Sequence, residues 1–198
     1  VFQTIKRKGE KQSKLYTLLD GKKIMIWDPV QLDSTGNTST SGVSYTYDGD
    51  RAAISVQKSG AEITTTYIID TRTGKILHPP LENTFGFQWT KDQQHAYITI
   101  RSKDDIAKQL PLKTYHIKIG DPLEKATLAG TTTDAQNSFY IYDNRYCDVS
   151  FSGESDFYAN NCYMRKTGSS EKGQLIYESK KSAAYPEAIG EKLYIFTN

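Results

Sequence analysis

The sequence predicts an all-β fold, and three observations carry the prediction. Segments rich in β-branched and aromatic residues alternate with Gly and Asp turn signals, and 14 of the 198 residues are Tyr. The segments fall into sets of four joined by short turns, which suits antiparallel sheets. The set then recurs every 40–50 residues or about that, the sequence signature of a β-propeller blade.

The unit is clearest between Val43 and Lys75. Val43-Ser44-Tyr45-Thr46-Tyr47 reads as a strand, Asp48-Gly49-Asp50 as a turn, and Arg51–Val56 as the second strand. Ile63–Asp70 is the third strand, and Thr71-Arg72-Thr73-Gly74 turns it into the fourth, Lys75-Ile76-Leu77. The first turn is matched at Asp92 and Asp134, in steps of 44 and 42 residues. On the third strand Tyr67, Tyr115 and Tyr163 recur in steps of 48 and 48. The fourth strand recurs as Lys125–Leu128 and Gln174–Tyr177. A β-sandwich with evenly spaced strands is the competing fold. Strand order and turn chemistry repeat together, which favours the propeller.

The remaining elements follow in order. Val1–Lys6, Leu15–Leu19 and Ile24–Trp27 make three strands, the last two joined at Asp20-Gly21, as a blade without its first strand. Asp28-Pro29 ends that set, since Pro cannot donate to a ladder, and Asp33–Ser39 is a polar loop joining blades. Phe85–Trp89 opens the next set, with Phe87 and Trp89 on one buried face, where packing between blades is the expected role. Arg101–Leu112 is a long, charged, surface-type connection. Ser138–Phe151 and Phe157–Lys166 read as a long hairpin, and Ala184–Ile189 and Leu193–Phe196 as two further strands. The expectation is one partial β-propeller domain over residues 1–198, about four blades of four-stranded antiparallel sheet. Its parts are a partial blade at 1–28, blades at 42–81, 85–130 and 131–179, and the start of a fifth at 184–198, seventeen strands in all. A ring cut in mid-blade exposes flat apolar faces, so self-association through them is expected.

Composition narrows the functional classes. Twenty-five basic residues face 23 acidic ones, and the small clusters Lys6-Arg7-Lys8 and Lys22-Lys23 lie beside turns. They read as solvated loops, so no nucleic-acid partner is expected. No run approaches the ~18 apolar residues of a membrane helix, so no membrane partner is expected either. A soluble protein, cytoplasmic or periplasmic/secreted, is the reading. The chain begins with Val and shows no signal peptide, which suggests a processed or trimmed start. Cys147 and Cys162 flank an irregular loop. They form either a disulfide in an oxidising compartment or two free buried thiols, the latter being the simpler reading.

Catalytic patterns are missing. There is no Gly-x-Ser-x-Gly elbow, no Gly-rich loop leading into a helix, and no metal-type Cys or His spacing. His78 precedes two prolines, His95 sits in a turn and His116 in a strand, and each reads as structural or solvated. The paired carboxylates Asp104-Asp105 and Asp48/Asp50 lie in loops and turns, where Asp serves the backbone. No catalytic, cofactor-binding or metal residue is expected on this chain.

Across most of its length the chain resembles the propeller domain of the prolyl oligopeptidase family of serine peptidases. The stretches that carry this run from Leu15-Tyr16 through Asp28-Pro29, Leu32, Gly36 and Tyr47–Ala53 to Gly60 and Ile69–Lys75. They continue through Trp89-Thr90-Lys91-Asp92 and Tyr115–Gly120 to Leu193–Asn198. Val30 and Tyr47 depart from the family pattern, as does Asp121-Pro122-Leu123, and Asn144–Asn161 matches weakly. The resemblance implies a seven-bladed ring capping an α/β-hydrolase domain of the same parent chain, and a Ser-Asp-His triad on that domain, outside this sequence. It implies a parent that hydrolyses short proline-containing peptides by acyl transfer, with this chain gating access. Two other readings stand beside it: a stand-alone propeller module for binding or scaffolding, and the propeller of a related dipeptidyl peptidase or oligopeptidase B.

Overall fold

The structure, a computed structural model, describes residues 1–198. It holds sixteen strands in antiparallel pairs and one short α-helix, α1 (Lys103–Ala107). Two compact units divide the chain, Val1–Phe87 with Ile119–Pro122, and Gln88–Lys118 with Leu123–Asn198.

In the first unit β1 (Phe2–Ile5), β2 (Lys14–Leu19) and β3 (Lys22–Trp27) form a three-stranded sheet. Asp20 and Gly21 both take positive φ, 49° and 74°, the backbone that a two-residue hairpin turn demands. β4 (Thr38–Tyr45), β5 (Arg51–Lys58) and β6 (Thr64–Asp70) follow, and β6 pairs with the start of β7 (Leu81–Trp89). Lys75–Leu77 does not become a full fourth strand. It makes a single bridge, Ile69 to Ile76, before Pro79-Pro80 removes two consecutive N–H donors. That is why sixteen strands stand where seventeen were expected. Alternation puts Ala52, Ile54 and Val56 on one face of β5, packed with Leu15, Ile26, Trp27 and Ile69. Aromatic contacts complete this core: Phe2 stacks on Tyr45 at 4.0 Å, and Trp27 tilts against Tyr67 at 5.1 Å. The Trp27 indole N–H donates to Thr40 Oγ1 at 3.2 Å, so its polar end is satisfied.

The second unit carries β8 (His95–Ile100), β9 (Lys113–Lys118) and β10 (Thr127–Thr131), then β11 (Ser138–Asp143), β12 (Val149–Ser155), β13 (Asn161–Lys166) and β14 (Gln174–Glu178). β15 (Ala184–Ile189) and β16 (Lys192–Thr197) close the chain as a hairpin. Three local expectations are corrected here. The Arg101–Leu112 connection contains α1, because Ser102 and Asp105 form a reciprocal capping box. Ser138–Phe151 is two strands rather than one arm of a hairpin, with a turn at Asn144–Asp148. The third turn of the series is therefore Asn144–Asp148, with Asn144 at the place of Thr46 and Thr90, and Asp134 lies ahead of β11. The backbone makes the equivalence plain. Thr46 N–H donates to Arg51 O at 3.0 Å, Thr90 N–H to His95 O at 3.1 Å, and Asn144 N–H to Val149 O at 2.8 Å. Asp48, Asp92 and Asn144 each turn a side-chain oxygen onto backbone N–H groups of the same turn.

The tyrosine series, by contrast, holds to the residue. Tyr67 pairs with Ile54, Tyr115 with Ile98 and Tyr163 with Ser152, each partner three residues into its strand. One step along, hydroxyls meet between the same strands: Ser55 with Thr66 at 3.0 Å, and Thr99 with Thr114 at 2.8 Å. At the matching place β12 and β13 carry Gly153 and Cys162. The missing side chain lets the Tyr140 phenol cross the sheet and donate to Asn161 O at 2.6 Å. A Cβ at Gly153 would collide with Asn161 O and the Tyr140 ring.

Two predictions follow from packing and turn chemistry. Gly153→Ala is expected to lower stability by about 2 kcal/mol in urea unfolding. Gly42→Ala, whose added carbon meets nothing within 4 Å, is expected to change it little. At the second turn, burial raises the Asp92 pKa, but hydrogen bonds from Thr90, Gln94 and His95 outweigh it and hold the carboxyl at about 2. The fold therefore favours the ionised form, so its stabilisation is present above the ordinary value of 3.8 and is lost as pH falls toward 2. Asp92→Asn is expected to cost about 1 kcal/mol near neutral pH, discounted for solvent exposure, and the gap should close on acidification below about pH 4.

Candidate functional site

The residues singled out from sequence are scattered, and the fold gives most of them structural work. Trp89 is buried. His78 is buried between the carbonyl oxygens of Pro79 and Asp121, 2.5 and 2.8 Å from its ring nitrogens. His95 Nδ1 lies 2.8 Å from Asp92, and the His95 ring stacks on His116 at 4.9 Å. Burial, and then the neighbouring His95, lower the His116 pKa from the usual 6.5. Asp105 caps α1, Asp48 accepts from Thr46 at 2.6 Å, and Asp50 pairs with Arg72 at 2.9 Å on the surface. Lys22 and Lys23 are exposed at the start of β3, and Arg7 lies over the Tyr16 ring at 5.7 Å. Cys147 and Cys162 are both free thiols, Cys147 half-buried and Cys162 buried.

A different set of residues comes together within the second unit. β11 supplies Tyr140 and Tyr142, the β12–β13 loop supplies Asp156, Phe157 and Tyr158, and Tyr185 comes from β15. They line a cavity of about 380 Å³. An Asx turn shapes the loop: Asp156 Oδ1 accepts the backbone N–H of both Tyr158 and Ala159 at 2.7 Å. This turn lifts two adjacent aromatic rings into solvent, with Phe157 92% and Tyr158 71% exposed. The two rings meet edge to face at 5.0 Å. Asn160 ties the floor to β15, donating to Ala184 O at 2.7 Å and accepting Ala184 N–H at 2.8 Å. The Tyr142 hydroxyl donates to Pro186 O at 2.6 Å, which fixes its ring.

The chemistry available here is recognition. Burial first, and then the Cys162 contact, push the Tyr140 phenol far above its usual range, and burial does the same for Tyr142. Burial also raises the Cys162 thiol against the opposing effect of Tyr140. All three groups stay protonated and uncharged at neutral pH. What the cavity offers is ring faces around an apolar space, with amide and hydroxyl groups at its edge, a lining suited to apolar ligand groups. Sequence reasoning passed over this set because Tyr140, Tyr142 and Phe157 were read as strand residues. The usable signal was Phe157-Tyr158, two large aromatics directly after the polar run Ser152–Asp156.

Comparison with known proteins places the chain. Residues 1–198 match the family model of the prolyl oligopeptidase N-terminal β-propeller domain. No curated protein sequence matches. Among solved structures, a prolyl endopeptidase superposes with a TM-score of 0.86 at 19% identity, over 99% of this chain and 30% of that one. Prolyl oligopeptidase B from Galerina marginata gives 0.78 at 16% identity, over 100% of this chain and 32% of that one. Oligopeptidase B from Leishmania major gives 0.77 at 15% identity, over 100% and 29%. The chain thus spans less than a third of each of these proteins. All-β and built of antiparallel sheets in series, this chain belongs to the prolyl oligopeptidase family as part of its N-terminal β-propeller domain.

Proposed function

We propose that this chain is a non-catalytic section of a propeller that admits short peptides to a serine-hydrolase triad carried elsewhere in the same protein. The partner is an α/β-hydrolase domain of the parent chain, and the sheets are blades of a seven-bladed ring. In this reading the blades lie at 42–81, 85–130 and 131–179, with parts of two more at 1–28 and 184–198. The single observation that carries a peptide-facing role is the aromatic cavity. Phe157, Tyr158 and Tyr185 hold large rings out to solvent beside Tyr140 and Tyr142. Ring faces take up proline rings and apolar side chains without needing a charged partner. The propeller's contribution is then selection and binding, while acyl transfer belongs to the triad.

The test uses the full-length protein and two chromogenic reporters, one with Pro and one with Arg before the cleaved bond. Turnover of the proline reporter is expected, with none from residues 1–198 alone. Phe157→Ala and Tyr158→Ala should each raise KM roughly three- to tenfold and leave kcat within about twofold, as loss of uniform binding requires. Cleavage of the arginine reporter alone would move the protein to the oligopeptidase B branch. Cleavage of neither would leave a stand-alone binding module.

A further inference from the structure

The β11–β14 sheet departs from the other two at one more register position. In β5–β6 the second residue pair is Ala52 with Ile69, and in β8–β9 it is Ala96 with Ile117, all buried. In β12–β13 the same pair is Ser150 with Arg165. A guanidinium thus stands where the fold elsewhere puts a core isoleucine. Ser150 and Tyr97 both donate to Asp143, at 2.7 and 3.2 Å, and Lys91 N–H donates to it at 2.9 Å. Arg165 makes no salt bridge. Its Nη1 donates to Glu171 O at 2.9 Å, and its Nε is buried without any hydrogen-bond partner. The guanidinium also meets the Tyr97 hydroxyl but no carboxylate, so a half-buried charge is left without a counter-ion, which is costly.

Arg165 opens onto a groove of about 310 Å³ under the β13–β14 turn. Period-two alternation gives this face Phe139 on β11, Ser152 and Glu154 on β12, and Asn161, Tyr163 and Arg165 on β13. Lys172 reaches over the Tyr163 ring at 4.2 Å. The cationic end is at Arg165 and Lys172. The anionic end is at Glu154, whose backbone N–H donates to Asn161 Oδ1 and whose carboxylate accepts from the Thr133 hydroxyl and from the Thr133 and Asp134 N–H groups. Four residue steps along β13 separate Arg165 from Asn161, roughly 13 Å. An extended tripeptide spans about 10 Å. A polyanion would meet Glu154 unfavourably, whereas a peptide with free termini matches both ends.

From this we infer that the groove is a second binding site, for a free-ended peptide of about three residues, with its terminal carboxylate on Arg165 and its ammonium group toward Glu154. The inference rests on the peptide-handling function proposed above but uses the opposite face of the sheet from Tyr140 and Tyr142.

Calorimetric titration of the full-length protein with trialanine tests it, beside trialanine amide, N-acetyl-trialanine and sodium phosphate. Trialanine should bind at one saturable site beyond any shared with a proline-peptide inhibitor. The amide should bind roughly tenfold more weakly, the loss expected for one charge-assisted contact. Arg165→Met should weaken trialanine by a similar factor, as should Arg165→Lys, which keeps charge and stem but not the planar fork. Glu154→Gln should weaken trialanine but not its N-acetyl form, and Phe157→Ala should leave this site unchanged. Equal binding of acid and amide, or no effect of either Arg165 variant in a protein that melts normally, overturns the proposal. So does phosphate binding at Arg165 as tightly as the peptide, which would make it a simple oxyanion site. Reporter-peptide turnover on the same samples reads the peptidase proposal separately, so either can fail alone.

Discussion

The register between the second and third strands of each sheet is the constraint on which the rest of this structure depends. A sheet has a side-chain period of two, so a slip of one residue would send every side chain to the opposite face. Across β5–β6, β8–β9 and β12–β13 the pairing is the same to the residue, with Tyr67, Tyr115 and Tyr163 as its marker. Once it is set, the buried pairs Ala52–Ile69 and Ala96–Ile117 face one way, and the hydroxyl pairs Ser55–Thr66 and Thr99–Thr114 face the other. The turns at Thr46, Thr90 and Asn144 close over the same five-residue span and feed the second strand in at the same point. Register, turn and core are thus one specification repeated, the local and global agreement expected of a foldable sequence.

Where the specification is broken, the breaks cluster in the β11–β14 sheet. Gly153 and Cys162 replace a hydroxyl pair, and Ser150 and Arg165 replace a small residue and an isoleucine. The first exchange opens space that the Tyr140 phenol fills, which brings that ring to the wall of the aromatic cavity. The second puts a guanidinium on the other face. Both exchanges depart from the local pattern its neighbours keep, which is where natural sequences most often trade packing for function.

The Tyr67, Tyr115, Tyr163 spacing was readable in the sequence because third-strand lengths and their distance from the second strand are fixed by hydrogen bonding. The turn series was readable for Asp48 and Asp92, where Thr-x-Asp repeats, and misled at Asp134. There the true turn begins at Asn144, ten positions on, where Asn144 stands at the place of Thr46 and Thr90 and itself caps the turn. The fourth strand at Lys75–Leu77 looked complete because strand propensity is local, while its loss follows from two prolines just beyond it. Helix α1 hid in a charged loop, since five residues cannot display a helical period and only the Ser102–Asp105 cap reveals them. The cavity and the groove were out of reach for a different reason. Each is assembled by residues that share a face, and the face is known only after the register is.

That dependence also explains why the two faces of the β11–β14 sheet suit different ligand groups. Neighbouring positions on one strand point to opposite sides, so Tyr140 and Tyr142 serve one side while Phe139 serves the other. The first side gathers neutral phenols and a protonated thiol around an apolar space, so it offers ring contact. The second holds Arg165, Lys172 and Glu154, so it offers charge at fixed separation. A single substitution on β13 therefore alters one side without repacking the other, provided the Gly153 gap and the strand register are kept. The two faces of this sheet can change separately while the strand register is kept.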